Sequence, residues 1–289
     1  MGVQWFPGHM TKARRELTEA MPAQDVVVEV RDARLPAAST NPLVAELRGT
    51  RPHVVVLTRR DLADEDATRQ WEVALTREGL RVVAIAAANA GDVRKRVTRA
   101  CLDLVTTRPG TPVRVLVCGV PNVGKSTLIN TLMGRAVAPA GDKPAVTKRQ
   151  QMVVLPSGIV ITDSPGLMWP KIETQDAALK LALAGSIPDT AIDYQDVGMF
   201  AAELLLATYP ALLIARFKLK TLPTTPAELL REVGIRRGGL RPGGVVDLHK
   251  AAEVLVHEFR AGTIGRISLE RPLAPVVAEP VAPEPLPTA

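Results

Sequence analysis

Residues 119–126 read Gly-Val-Pro-Asn-Val-Gly-Lys-Ser, and no other stretch restricts the fold as much. An apolar, β-branched run, residues 113–118, precedes them. After them Leu128/Ile129 and Leu132/Met133 recur at helical spacing, and Gly134 supplies a stop. The pattern G-x-x-x-x-G-K-[ST] therefore lies between a strand and a helix N-terminus, the context it needs to hold phosphate. Its glycines let backbone N–H groups curl around phosphate oxygens, and the helix dipole adds positive potential at the same point. Asn122, Val123, Gly124, Lys125, Ser126 and Thr127 are the expected contacts. Lys125 reaches for the terminal phosphates and the Ser126 hydroxyl is a ligand for Mg²⁺. The chain is expected to bind a nucleoside triphosphate.

At 289 residues and 46 % hydrophobic, the chain can build two modest domains with a substantial core. The net charge of +6 suits a polyanionic partner such as nucleic acid or the ribosome, although Arg dominates the basic set. Cys101 and Cys118 stand alone, with no Cys-x-x-Cys or Cys/His cluster, which argues against a disulfide framework or a zinc site. The N-terminus has no apolar signal region. The most membrane-like stretch, Val197 to Ala215, is interrupted by Glu203 and Pro210, which favours buried helices over a span. A cytoplasmic monomer with no membrane partner is expected.

Along the chain, residues 25–30, 53–57, 81–85 and 113–118 read as strands. Helical patterns cover 61–80 and 93–105. Residues 152–155 and 159–162 flank Pro156-Ser157-Gly158 as a β-hairpin. Apolar strands alternating with helices predict an α/β fold with a mostly parallel sheet. After Pro170 only helices are expected, at 176–184, 196–209, 226–233 and 247–260, the third opened by a Thr225-Pro-Ala-Glu228 capping box. The predicted division is an α/β nucleotide domain over 1–170, an all-α domain over 171–271, and a Pro-rich disordered tail over 272–289.

Further residues fit a nucleotide site. Asp163-Ser164-Pro165-Gly166 ends a hairpin strand, where Asp163 can hold the Mg²⁺ water shell and the Gly166 N–H can meet a γ-phosphate. Thr147, in the loop between, is placed to ligate Mg²⁺ only when that phosphate is present. Thr58-Arg59-Arg60-Asp61 is similar to the guanine-reading pattern Asn-Lys-x-Asp. The Asp61 carboxylate can accept from guanine N1–H and the 2-amino group, donors that adenine lacks, and the Arg59 stem can lie along the base. Ala86 and Ala87 stand where a second guanine-contact loop belongs.

These base-reading loops precede the phosphate loop, the reverse of the order in Ras-like GTPases. The chain resembles the circularly permuted P-loop GTPases. Gln4 to Ala13, Asp32-Ala33-Arg34-x-Pro36, Asn41-Pro42, Asp163 to Pro170, Gly243 to Asp247 and Gly262-x-x-Gly265 narrow the likeness to the ribosome biogenesis GTPase A family. The resemblance implies a GTPase acting in late assembly of the large ribosomal subunit, taking GTP/GDP and Mg²⁺, with a helical C-terminal domain that binds rRNA. Four positions depart from the family: Thr58 and Arg59 replace Asn and Lys, Ala87 replaces Ser, and Ala145 replaces Gly.

Leu167 stands where many GTPases carry a water-orienting Gln, so slow intrinsic hydrolysis is expected. The resemblance points to His9, in the turn Phe6-Pro7-Gly8-His9, as the catalytic replacement; a structural imidazole is the competing reading. Permutation also makes the segment after Gly166 run straight into the helices, so γ-phosphate loss can re-aim them. For rRNA, residues 236–244 read as a basic, flexible loop. Arg236, Arg237 and Arg241 are the contacts there, with Lys218 and Lys220 beside them, and Lys250, Arg260 and Arg266 able to extend the surface. A different class of function remains open: an RNA-binding scaffold that senses nucleotide and barely hydrolyses it.

Overall fold

A computed structural model describes residues 8–106, 108, 110–135, 151–155, 157–169, 172–241 and 243–273, with only the backbone for Gly8, His9 and Gln151. A six-stranded sheet forms the centre: β1 (Val26–Asp32), β2 (His53–Thr58), β3 (Arg81–Ala84), β4 (Arg114–Cys118), β5 (Gln151–Val154) and β6 (Val160–Asp163). The spatial order is β3-β2-β1-β4-β6-β5, parallel throughout except for β5, which pairs antiparallel with β6. The expected parallel α/β architecture and its terminal hairpin are therefore present. β1 is buried along its whole length, as a β-branched strand between two neighbours in a covered sheet must be.

The helices α1 (Gly8–Ala20), α2 (Pro42–Arg48), α3 (Glu65–Arg77), α4 (Ala90–Leu102) and α5 (Lys125–Met133) accompany this sheet. Helix α3 is shorter than the 61–80 pattern because Asp64 caps it, its side chain accepting from the Ala67 N–H at 2.9 Å. Helix α2 lies in a stretch where no helix was expected. Its signal is Asn41-Pro42, an N-cap followed by Pro at the first helical position. Gly8 and His9 are already helical in α1, so the bend expected at Phe6-Pro7-Gly8-His9 does not extend through His9.

The rest of the described chain is helical: α6 (Gln175–Leu183), α7 (Tyr194–Thr208), α8 (Pro210–Phe217), α9 (Pro226–Arg236) and α10 (Leu248–Arg260). The Thr225/Glu228 capping box forms in both directions. Pro210, read in the sequence as an interruption, is the first residue of α8, which meets α7 at 112°. Among the described residues no single helix is long and apolar enough to cross a membrane.

Residues 262–271, assigned from sequence to the helical part, run back along the α/β layer. The Ile267 N–H donates to Leu62 O at 2.9 Å, the Leu269 N–H to Arg34 O at 2.7 Å, and Trp71 Nε1 to Glu270 O at 3.2 Å. Ile264, Ile267 and Leu269 are buried there, so the helices and the sheet share one continuous apolar core. The predicted boundary at 170/171 and the tail from 274 onward lie outside the described residues.

Candidate nucleotide site

Five parallel strands deliver their C-terminal ends to one edge of the sheet. After β1 the chain adds β2 and β3 on one side, then returns to place β4 on the other. Such a reversal opens a crevice outside the strand ends, where α/β sheets bind ligands. The loop 119–124, between β4 and α5, occupies that crevice. Gly119 has φ +149°, and a Cβ there would lie 2.4 Å from Val30 O, so only glycine lets the loop leave β4 beside β1. Asn122 (φ 55°) and Gly124 (φ 100°) take left-handed conformations, curling the backbone before α5 begins at Lys125.

Lys125 is buried, and its ammonium donates to Gly119 O at 3.2 Å and Val120 O at 2.9 Å. Three donors with two taken among the described residues leave one for a ligand oxygen. Burial pulls its pKa down to about 8, against the opposing pull of Asp163. Asp163, at the end of β6 and paired in register with Val117, is pushed up to about 6 by burial, with Lys125 opposing. Both of its carboxylate oxygens are buried and lack a hydrogen-bond partner among the described residues. A buried carboxylate without donors is costly, and a cation or its water shell beside Ser126 would satisfy it, so the donor set fits a hard divalent ion. Gly166 lies against the phosphate loop so closely that a Cβ would fall 2.8 Å from Pro121 Cα. Thr147 lies outside the described residues, as does the side chain of His9.

The residues expected to read the base are adjacent to this loop in space. Thr58 Oγ1 lies 2.6 Å from Val123 O and 3.1 Å from Arg31 O, tying β2 to the phosphate loop. Arg59 (φ 56°) donates to Asn122 O at 2.6 Å and to Asp32 Oδ2 at 2.7 Å. With its guanidinium committed at both ends, Arg59 acts first as a brace between β1 and the phosphate loop. The Arg60 N–H donates to Ile85 O at 3.0 Å and joins this loop to the one carrying Ala86 and Ala87. Asp61 is exposed, and its carboxylate makes no hydrogen bond or ion pair among the described residues. Ala86 is half-buried and Ala87 exposed, and Thr127 is exposed in the first turn of α5.

Buried charge at the end of β1 supports these loops. Asp32 receives both Arg34, at 3.0 and 2.9 Å, and Arg59. Burial alone would raise its carboxyl, but the two guanidiniums hold it far below the usual range. Arg34 is fully buried, with its guanidinium 4.7 Å from the centre of the Phe259 ring in α10. A second buried carboxylate, Glu29, accepts from Arg31 at 2.5 and 3.0 Å and from the Asn41 N–H at 2.8 Å. Sequence reasoning assigned no role to Glu29, Arg31 or Asn41. The available signal was three charged residues, Glu29, Arg31 and Asp32, inside an otherwise apolar strand.

The basic residues expected to meet rRNA divide into two groups. Lys218 and Lys220 are exposed on either side of buried Leu219. Residues 236–241 and 243–244, by contrast, are not a free loop. Arg236 belongs to α9 and pairs with Glu232, and Arg241 pairs with Asp247 at 2.7 Å. A Leu240–Val246 bridge closes the turn, because Gly234 and Gly239 let it fold onto α9: a Cβ at Gly234 would lie 2.5 Å from Val246 Cγ1. Arg237 is held by Glu258 Oε1 at 2.8 Å and stands over the Phe217 ring, so it braces α9 against α8 and α10. Of the others, Lys250 is exposed. Arg260 is bound by Leu183 O, Ala182 O and Asp189, and Arg266 by Ala63 O and Glu65.

Known proteins carry the same arrangement. The family model described as 50S ribosome-binding GTPase matches residues 114–201, from β4 into α7. Ribosome biogenesis GTPase A of Bacillus cereus is 40 % identical over 282 residues, covering 94 % of this chain and 95 % of that protein. The protein of the same name from Priestia megaterium is 38 % identical over 94 % of this chain and 98 % of its own length. Among solved structures, GNP-bound YlqF from T. maritima superposes with a TM-score of 0.65 at 31 % identity, covering 90 % of this chain and 98 % of that one. The Thr58–Asp61 loop, which precedes the phosphate loop in the chain but abuts it in space, together with similarity to these relatives over nearly their full length, places the chain in the ribosome biogenesis GTPase A family, whose members are GTP-binding P-loop GTPases.

Proposed function

We propose that this GTPase acts in late assembly of the large ribosomal subunit, coupling GTP hydrolysis to a check on the subunit's rRNA. The observation that carries the reading is the convergence of Lys125, Asp163, Gly166 and the Thr58–Asp61 loop on one crevice. In this reading Asn122 to Thr127 cradle the phosphates and Asp61 reads guanine beside Ala86 and Ala87. Ser126, Thr147 and Asp163 hold Mg²⁺, which when bound neutralises charge developing on the phosphates. Lys218, Lys220, Arg236 and Arg241 are the rRNA contacts. Arg237 drops out because Glu258, the Arg216 carbonyl and the Phe217 ring hold it against two other helices, whereas Arg236 and Arg241 each pair with one carboxylate close by in the chain. The α/β part, residues 1–170, hydrolyses; the helices of 171–271 bind; and the work takes place in the cytoplasm, where such subunits assemble.

Leu167 is buried in the core, 2 % exposed, so its side chain does not face a γ-phosphate. Water orientation then falls to a group supplied on the correct partner, and His9 at the start of α1 is the proposed one. The test is GTP turnover with and without purified large subunits. Stimulation of at least about tenfold is expected, and an equal rate in both would favour the nucleotide-sensing scaffold.

Asp163→Asn removes the charge that would attract the cation while keeping shape. Turnover should fall by roughly a hundredfold and lose its dependence on Mg²⁺ concentration, while GDP binding changes little. A variant with a normal Mg²⁺ titration would remove Asp163 from the metal site.

A further inference from the structure

Asn41 lies 126 positions away from Leu167 in the chain, yet its Nδ2 donates to Leu167 O at 2.8 Å. The residue is 1 % exposed. Its amide orientation is fixed by chemistry, since Oδ1 accepts from the Leu43 N–H at 3.0 Å as the N-cap of α2 and only Nδ2 can face a carbonyl. Its own N–H donates to Glu29 Oε1, and Glu29 is in turn held by Arg31, with His53 Nε2 3.3 Å away. A polar ladder thus runs from the buried centre of β1 to the backbone just beyond Gly166.

The far side of that backbone is also held. The Leu167 N–H donates to Gly119 O at 3.2 Å, and Gly166 is pressed against Pro121. The Leu167 peptide is therefore clamped between the phosphate loop and Asn41, with its side chain sunk in the core. We propose that Asn41 is a positioning residue for GTP hydrolysis: its bond to Leu167 O, with the Leu167 N–H held by Gly119 O, anchors the backbone immediately after Gly166, so that the Gly166 N–H is kept facing the γ-phosphate. The inference rests on the reading of Gly166 given above. Among the described residues the hydrogen bonds of Asn41 go to Glu29, Leu43, Val44 and Leu167, none of them a guanine or inner-phosphate contact in that reading, so its contribution belongs to the step that uses the γ-phosphate.

Replacing Asn by Ser keeps an N-cap oxygen for Leu43 but is too short to bond Leu167 O. For Asn41→Ser, kcat for GTP should fall at least about tenfold while the GDP dissociation constant stays within about twofold of wild type. Backbone amides at residues 166–168 should exchange faster with solvent, while those of β1 keep their protection. Asn41→Thr, also a capping residue, should behave the same way. The proposal is overturned if kcat is unchanged, if GDP affinity falls in step with rate, if exchange at 166–168 is unaltered, or if both variants lose their fold. Failure of the underlying site reading has a separate signature: Lys125→Ala would retain GTP binding, whatever Asn41→Ser does.

Discussion

Replacing Lys125 by alanine is expected to lower GTP affinity by about three orders of magnitude and to leave no measurable turnover. Nζ belongs to a buried lysine whose two partners among the described residues are the carbonyls of Gly119 and Val120 in the phosphate loop itself. Its third donor has no competitor from solvent, and a charge-assisted bond to phosphate in such a place is worth roughly 4 kcal/mol. The pKa of about 8 means the amine is charged at neutral pH, and an arriving phosphate can only favour that form further. Lys125→Met separates binding from folding because it keeps the buried volume. The thermal midpoint of the free variant should match or exceed wild type, since a buried amine is replaced by an apolar group. Saturating GDP at about a hundred times its dissociation constant should stabilise the wild type by about 2.7 kcal/mol and the variant by almost nothing. Equal thermal shifts in both proteins would place the nucleotide elsewhere.

The parts of the fold legible in the sequence are those whose signals are local. A strand, a glycine-rich turn and a helix written consecutively give β4, the phosphate loop and α5 without any long-range information. The capping box of α9 is similarly self-contained. Proline was harder to read, because it is both a helix breaker and a preferred first helical residue. Pro42 was passed over and Pro210 was taken for an interruption, yet both open helices. The roles of Thr58 and Arg59 were not legible. Measured against Asn-Lys-x-Asp they look like losses, but their partners are Val123 O, Asn122 O and Asp32, residues far away in the chain. The Thr58 hydroxyl and the Arg59 guanidinium both reach the phosphate loop, so these two residues brace it directly. The turn around Arg237 departs from its expected flexibility for the same reason in reverse. Its Arg and Gly content reads as a flexible loop, but Glu258, which neutralises Arg237, arrives from another helix.

Base selectivity should reside in a single carboxylate. Asp61 follows β2 on a loop fixed by Thr58, Arg59 and the Arg60–Ile85 bond, but its own oxygens are exposed and take no partner among the described residues. A rigid mount for a free acceptor pair is what guanine needs, because N1–H and the 2-amino group present two donors side by side. Adenine offers no donor at either position and would leave the carboxylate desolvated and unpaired. A site of this kind discriminates by roughly 10⁴-fold, so GTP should be preferred over ATP by about that factor. Asp61→Asn tests the pairing by inversion. The amide still accepts from N1–H but now turns a donor toward the 2-position, where xanthine carries a carbonyl. GTP affinity should fall by about two to three orders of magnitude and xanthosine triphosphate affinity should rise by a similar factor. Because the Asp61 carboxylate makes no hydrogen bond or ion pair among the described residues, the exchange should leave thermal stability within about 0.5 kcal/mol of wild type, so a loss of GTP binding cannot be blamed on folding. If the variant weakens both nucleotides equally, or if the wild type binds ATP as well as GTP, Asp61 does not read the base. The guanine edge would then have to be met by backbone groups of the loop at Ala86 and Ala87.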